Sequence, residues 1–128
     1  MLIRFVVHRL DPDSGRRVGL FQAISDLEYR GELSASEQKD YDDIYEWFRK
    51  NLKRPRSFTR SSKPHAKKVA ISWLKTQAIE HIARMYELAR LLHSHGIEVE
   101  TIKTERPGYV VYEDKHQVAA EPFKETTT

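Results

Sequence analysis

The sequence predicts an α+β domain of two layers, with a four-stranded, mostly antiparallel sheet covered on one face by three helices in the order β-α-α-α-β-β-β. Three observations lead there. The N-terminal residues 2–10 form a short β-branched and aromatic run. Apolar residues then recur at helical spacing in three stretches, and after Gly96 the period changes to strand-like alternation. A sheet and a set of helices each have one apolar face to bury, and stacking the two layers buries both.

Each element has its own warrant. Ile3, Phe5, Val6 and Val7 mark a first strand, closed by the turn-rich Asp11-Pro-Asp-Ser-Gly15. From about 17 to 30, Leu20, Phe21, Ile24 and Leu27 recur at helical spacing, and Gly31 ends the helix. Ser34 followed by Glu37 has the capping-box form, in which hydroxyl and carboxylate each satisfy a free backbone N–H. A second helix is expected from there to about Leu52, with Tyr41, Ile44, Tyr45, Phe48 and Leu52 inward. Its first half is acidic and its end carries Arg49 and Lys50, the polarity a helix dipole favours.

Residues 53–63 break the periodicity and read as a basic loop. A long third helix is expected from near Ser62, with Pro64 tolerated in its first turn, to Gly96. Ile71, Leu74, Ala78, Ile82, Met85, Leu88, Ala89 and Leu92 would form its core-facing stripe, while Trp73 and Leu91 fall on nearly the opposite side. Residues 97–103, 109–114 and 117–121 then alternate between turns and read as a three-stranded antiparallel meander. The domain is expected to span 1–123, with 124–128 a frayed tail.

Composition narrows the function classes. The 128 residues are 39% apolar and 32% charged, enough for one core without disulfides. Absence of cysteine removes thiolate zinc sites and cysteine nucleophiles and fits a reducing compartment, so a cytoplasmic location is expected. Arg4, His8 and Arg9 interrupt the apolar N-terminus, and no stretch reaches the ~18 apolar residues of a membrane span, so a soluble protein with no membrane partner is expected.

Charge is the strongest functional signal. Between Glu46 and Glu80 there is no acidic residue and there are ten cations, while the whole chain carries only +3, so the remainder sums to −7. Arg54, Arg56 and Arg60 offer forked phosphate contacts, and Lys63, Lys67 and Lys68 add positive field. Ser62 lies at the expected start of the long helix, where free N–H groups suit an anion, and Phe58 and Trp73 supply stacking surfaces. The competing readings are a solvated loop and neutralisation by the acidic helix spanning 37–46.

Other clusters are weaker. Trp73 and Leu91 could sit at a homodimer interface along the back of the long helix. His93 and His95 lie some 200° apart on a helix and cannot share a metal, and a C-terminal capping role suits them better. Glu113, Asp114 and His116 pair carboxylates with an imidazole near a turn, although Asp at a turn commonly bonds local backbone. His8 with Asp11 and Asp13 is read as turn chemistry. No phosphate loop, nucleophile elbow or zincin helix is present, and no catalytic residue, metal or cofactor is assigned. The leading expectation is a small binding module whose basic surface over 53–73 faces the phosphates of a nucleic acid or phosphorylated ligand. The alternative is a protein-interaction or assembly module, a homodimer or partner binder without nucleic-acid or catalytic role.

Overall fold

The computed structural model describes residues 1–12, 15–54 and 70–128. The first strand, β1 (Leu2–Leu10), organises the sheet. One of its edges takes β4 (Val99–Thr104) antiparallel, from Leu2 opposite Thr104 to Val7 opposite Val99. The other edge is shared. Leu2 and Ile3 pair with β3 (Ile71–Lys75), whereas Val6 and Leu10 pair with β2 (Arg17–Gly19). From β3 the sheet continues to β6 (Gln117–Glu121) and its hairpin partner β5 (Tyr109–Glu113). Among the described residues, six strands, all paired antiparallel, form one sheet.

The two-residue period of β1 feeds two clusters. Ile3, Phe5 and Val7 enter the main core under the helices, while Val6 and Leu2 meet Ile71, Trp73 and Ile102. The helical layer contains α1 (Leu20–Tyr29), α2 (Ala35–Asn51) and α3 (Ile79–Ser94). Leu20, Ala23, Ile24 and Leu27 are the buried stripe of α1, and Tyr41, Ile44 and Phe48 that of α2. Phe21 and Phe48 meet edge to face with centroids 5.1 Å apart, locking α1 to α2. In α3, Met85, Leu88 and Leu92 are buried and continue the core. The Ser34/Glu37 capping box forms as expected, and Gly31 and Gly96 take left-handed φ values of 69° and 75° just past their helices. No helix among the described residues is long and apolar enough to cross a membrane.

The α+β class holds and four details change. The sheet has six strands rather than four. Residues 71–75, expected in the long helix, form β3, and α3 begins at Ile79. The stripe of Ile71, Leu74 and Ala78 suits a helix, but Trp73, which that helix left on its wrong side, packs with Ile71 on one face of a strand while Leu74 packs on the other. A strand buried on both faces lacks simple alternation, so its short apolar run carries no clear period. Arg17–Gly19, expected to open the first helix, form β2, with α1 starting directly afterwards. Finally, the last three strands are not a meander: β4 joins β1, and only β5 and β6 form a hairpin. The expected helix start at Ser62 lies outside the described residues.

Candidate anion-binding cleft

The shared edge of β1 creates the most distinctive feature of the molecule. Between its pairings with β3 and β2, Arg4 and Phe5 have no strand partner on that edge among the described residues. The gap opens into a cleft of about 520 Å³, reached by β1, the β2–α1 joint, the end of α2 and all of β3 up to Leu74. Its wall is largely apolar, with Phe5, Phe21, Phe48 and Met85 among the side chains. Its charged groups are Arg4, Arg16, Arg17 and Asp11, of which Arg17 already pairs through Nη1 with Glu100 at 2.6 Å.

Arg4 stands out chemically. Its Nη2 donates to the Arg17 carbonyl at 2.8 Å, but Nη1 is closed off from solvent and has no acceptor. Burial, followed by the charges of Arg17 and Arg16, lowers its pKa from 12.5 to about 10. Continuing the Ile3–Leu74 register by one residue sets Arg4 opposite Trp73, on the same face of the sheet. The Trp73 Nε1 is also buried without an acceptor. Buried donors are almost always bonded, so two orphans on neighbouring strands beside one cleft mark a place where an acceptor belongs. The start of α1 lines the same cleft, and its Gly19 cap provides no side-chain acceptor and its first turn no acidic residue. Among the described residues, neither the cap nor the first turn compensates its free N–H groups and positive dipole end.

A second cluster lies behind the cleft, at the hairpin tip. Gln117 lines the cleft, is 2% exposed, and donates its side-chain amide to the Lys53 carbonyl and to Asp114. Asp114 Oδ1 accepts from the backbone N–H groups of His116 and Gln117, and Oδ2 from the Tyr112 hydroxyl at 2.8 Å. Burial raises the Asp114 carboxyl, yet the bonds from His116, Tyr112 and Gln117 together leave it below its ordinary value. Asp114 thus bonds local backbone, as its turn position suggested. Glu113 pairs with Lys75 at 2.7 Å, and His116 stacks on His81 with centroids 4.4 Å apart. His81 is 4% exposed, and its Nε2 contacts the Asn51 carbonyl at 2.8 Å. Among the described residues, no three His, Asp or Glu side chains group as metal ligands.

Of the sequence candidates, Arg56, Phe58, Arg60, Ser62, Lys63, Lys67 and Lys68 lie outside the described residues. Arg54 is exposed. Trp73, at 1% exposure, sits in the core, so its ring offers no open stacking or subunit surface. Leu91 is half-buried against the main core and borders a groove between α2 and α3. His95 bonds Glu37 at 2.9 Å at the end of α3, and His8 lies 3.9 Å from Glu100. Sequence reasoning missed Arg4, Arg17 and Gln117. A cation inside the apolar run of β1 was the available signal.

The acidic helix has other partners. Glu37 bonds Ser34 and His95, Asp42 bonds Gln38, Asp43 pairs with Lys39 and Glu46 with Arg49. The acidic N-terminal end of α2 also lies some 20 Å from the end that leads to Lys53, at about 1.5 Å per residue.

Comparison with protein-family models, with curated proteins and with solved structures returns no match.

Proposed function

We propose that this protein is a binding module for phosphate-bearing ligands, nucleic acid foremost, whose basic region over 53–73 works together with the cleft at its base. The observation that carries the reading is that Leu52 and Ala70, at the two ends of the basic stretch, line the same cleft as Arg4, Arg16, Arg17 and the bare start of α1. A cation-rich stretch tethered at both ends to an electropositive cleft concentrates field where a phosphate would sit. Arg49 and Lys75, two of the ten cations, pair within the chain with Glu46 and Glu113, whereas Asp42 and Asp43 bond Gln38 and Lys39 of their own helix, which leaves the reading of an external anion to the rest of the basic stretch. Arg54, Arg56 and Arg60 would fork onto phosphates, and Lys63, Lys67 and Lys68 would hold the ligand by charge.

The absence of cysteine fits work in a reducing cytoplasm. Assembly through Leu91 has less support, because that side chain already packs against the chain's own core.

Fluorescence anisotropy of labelled single-stranded RNA and DNA tests the proposal. Affinity should fall log-linearly with salt, and reversing charge at Arg56 and Arg60 together should abolish binding while leaving the thermal unfolding curve in place. Retained binding in the double variant would remove the assignment.

A further inference from the structure

The cleft says more about its ligand than charge alone. Arg4 Nη1 and Trp73 Nε1 are orphaned donors on adjacent strands, the first charged and the second neutral. The start of α1 lines the same space, so three kinds of donor border the cleft with no acceptor assigned to them among the described residues. Asp11 is the one carboxylate on the lining among the described residues, beside Arg4, Arg16 and an Arg17 that pairs with Glu100 at 2.6 Å. The rest of the wall is predominantly apolar: Phe21 is half-buried there and can meet a flat or hydrophobic body, with Phe5, Phe48 and Met85 buried in the core beside it. A volume of about 520 Å³ lies in the range that holds small organic ligands.

Resting on the phosphate reading above, we propose that the cleft is an end-on site for a phosphate monoester carried on a flat apolar body, with the phosphate directed at Arg4 and the start of α1. A nucleoside monophosphate has this chemistry, either free or at the end of a strand. The recess favours a terminal group. An internal phosphodiester has chain leaving on both sides, whereas a monoester enters end first with three free oxygens beside the partly exposed Arg4. Those oxygens carry nearly two charges at neutral pH, matching a donor set that includes a buried guanidinium and a helix N-terminus.

Trp73 is the natural reporter. The chain has two tryptophans, and the other, Trp47, lies under Arg84 at 4.0 Å and against His81 and does not line the cleft. In a Trp47→Phe variant, phenyl phosphate should quench and red-shift the Trp73 emission saturably. Inorganic phosphate should bind about tenfold more weakly, since it lacks the apolar body, and phenol should leave the emission unchanged. Arg4→Met should weaken phenyl phosphate by about tenfold or more, the loss expected when a charged hydrogen bond goes. Ser72→Phe, which fills the cleft from an exposed position on β3, should do the same with Arg4 intact.

A single-stranded pentanucleotide with and without a terminal phosphate identifies the source. Tighter binding of the phosphorylated strand assigns a strand end, and equal binding of the two beside a tight mononucleotide assigns the free small molecule. An unresponsive Trp73, or phenyl phosphate binding unchanged in both Arg4→Met and Ser72→Phe, overturns the inference. If long strands still bind in that case, the phosphate-facing module survives without this pocket. If phenyl phosphate binds and long strands do not, the pocket survives without the nucleic acid.

Discussion

Replacing Arg4 by methionine should leave the protein at least as stable as the natural chain while removing its response to phosphate. Lowering a guanidinium from 12.5 to about 10 corresponds to about 3 kcal/mol held against its charged form. Methionine keeps a long side chain and has no charge to bury. It also forfeits the bond from Nη2 to the Arg17 carbonyl, worth about 2 kcal/mol for a charged donor. The balance is a gain of about 1 kcal/mol, or roughly 4 °C in Tm for a domain of this size. Ligand should act oppositely. Phenyl phosphate at a hundred times its Kd would stabilise the natural protein by about 2.7 kcal/mol and the variant hardly at all.

Thermal unfolding followed by circular dichroism, with and without ligand, reads both effects. A variant that melts several degrees lower, or that gains as much from phenyl phosphate as the natural chain, would refute the view that Arg4 waits for an anion. The alkaline limb gives a second check. A cation with a depressed pKa destabilises the fold below about pH 10, and that cost falls away as pH rises toward 12.5. Tyr41 runs the other way. Burial, with Glu28, Tyr45 and Asp42 adding, raises it from 10.0 to about 12, so its contribution is lost as pH rises from 10 through 12. The difference between natural chain and variant isolates Arg4, and it should shrink above pH 10.

Further outcomes follow from the same geometry. Gly108 has φ 129° and a Cβ there would run into the backbone of Glu121, so Gly108→Ala should cost more than about 2 kcal/mol in denaturant titration. Ser34→Ala should cost about 1 kcal/mol by removing the hydroxyl that caps Glu37 N–H. The backbone bond from Ser34 is also the main reason that the Glu37 carboxyl lies below its ordinary value of 4.5, with His95 assisting against an opposing burial effect. Its stabilising share should therefore be present above about pH 4.5 and disappear as pH falls below that, a limb which Glu37→Gln would flatten. Asp114→Ala should leave the Tyr112 hydroxyl, the Gln117 amide and two backbone N–H groups short of an acceptor, costing about 2–3 kcal/mol and loosening the hairpin tip in amide exchange.

Much of the fold was legible because local signals agreed with tertiary ones. The Ser34–Glu37 cap, the glycine stops at 31 and 96, and the buried stripes of α1 and α2 needed no long-range knowledge, although Tyr45, expected inward, is exposed. The β3 segment was not legible. Its strand character comes from Leu2 and Ile3 on one edge and β6 on the other, partners distant in sequence, and its apolar residues Ile71, Trp73 and Leu74 divide between the two faces. Position of β4 was hidden for the same reason: alternation identifies a strand and says nothing about its neighbour. The cleft was half legible. Charge sorting pointed to the stretch whose ends border it, but the significance of Arg4 arises only when the sheet divides between β2 and β3 and leaves its guanidinium in the gap. Trp73 reversed its meaning, from an open stacking surface to a buried ring with one unspent donor.

The most direct test is the indole N–H region of a proton–nitrogen correlation spectrum during a phenyl phosphate titration. The two indole signals are assigned by Trp47→Phe. An acceptor arriving in the cleft should move the Trp73 signal downfield and saturate, with the Trp47 signal fixed and the whole response absent in Arg4→Met. A Trp73 signal that stays in place, or that moves equally in the Arg4 variant, would contradict the claim that this cleft is built to receive a phosphate.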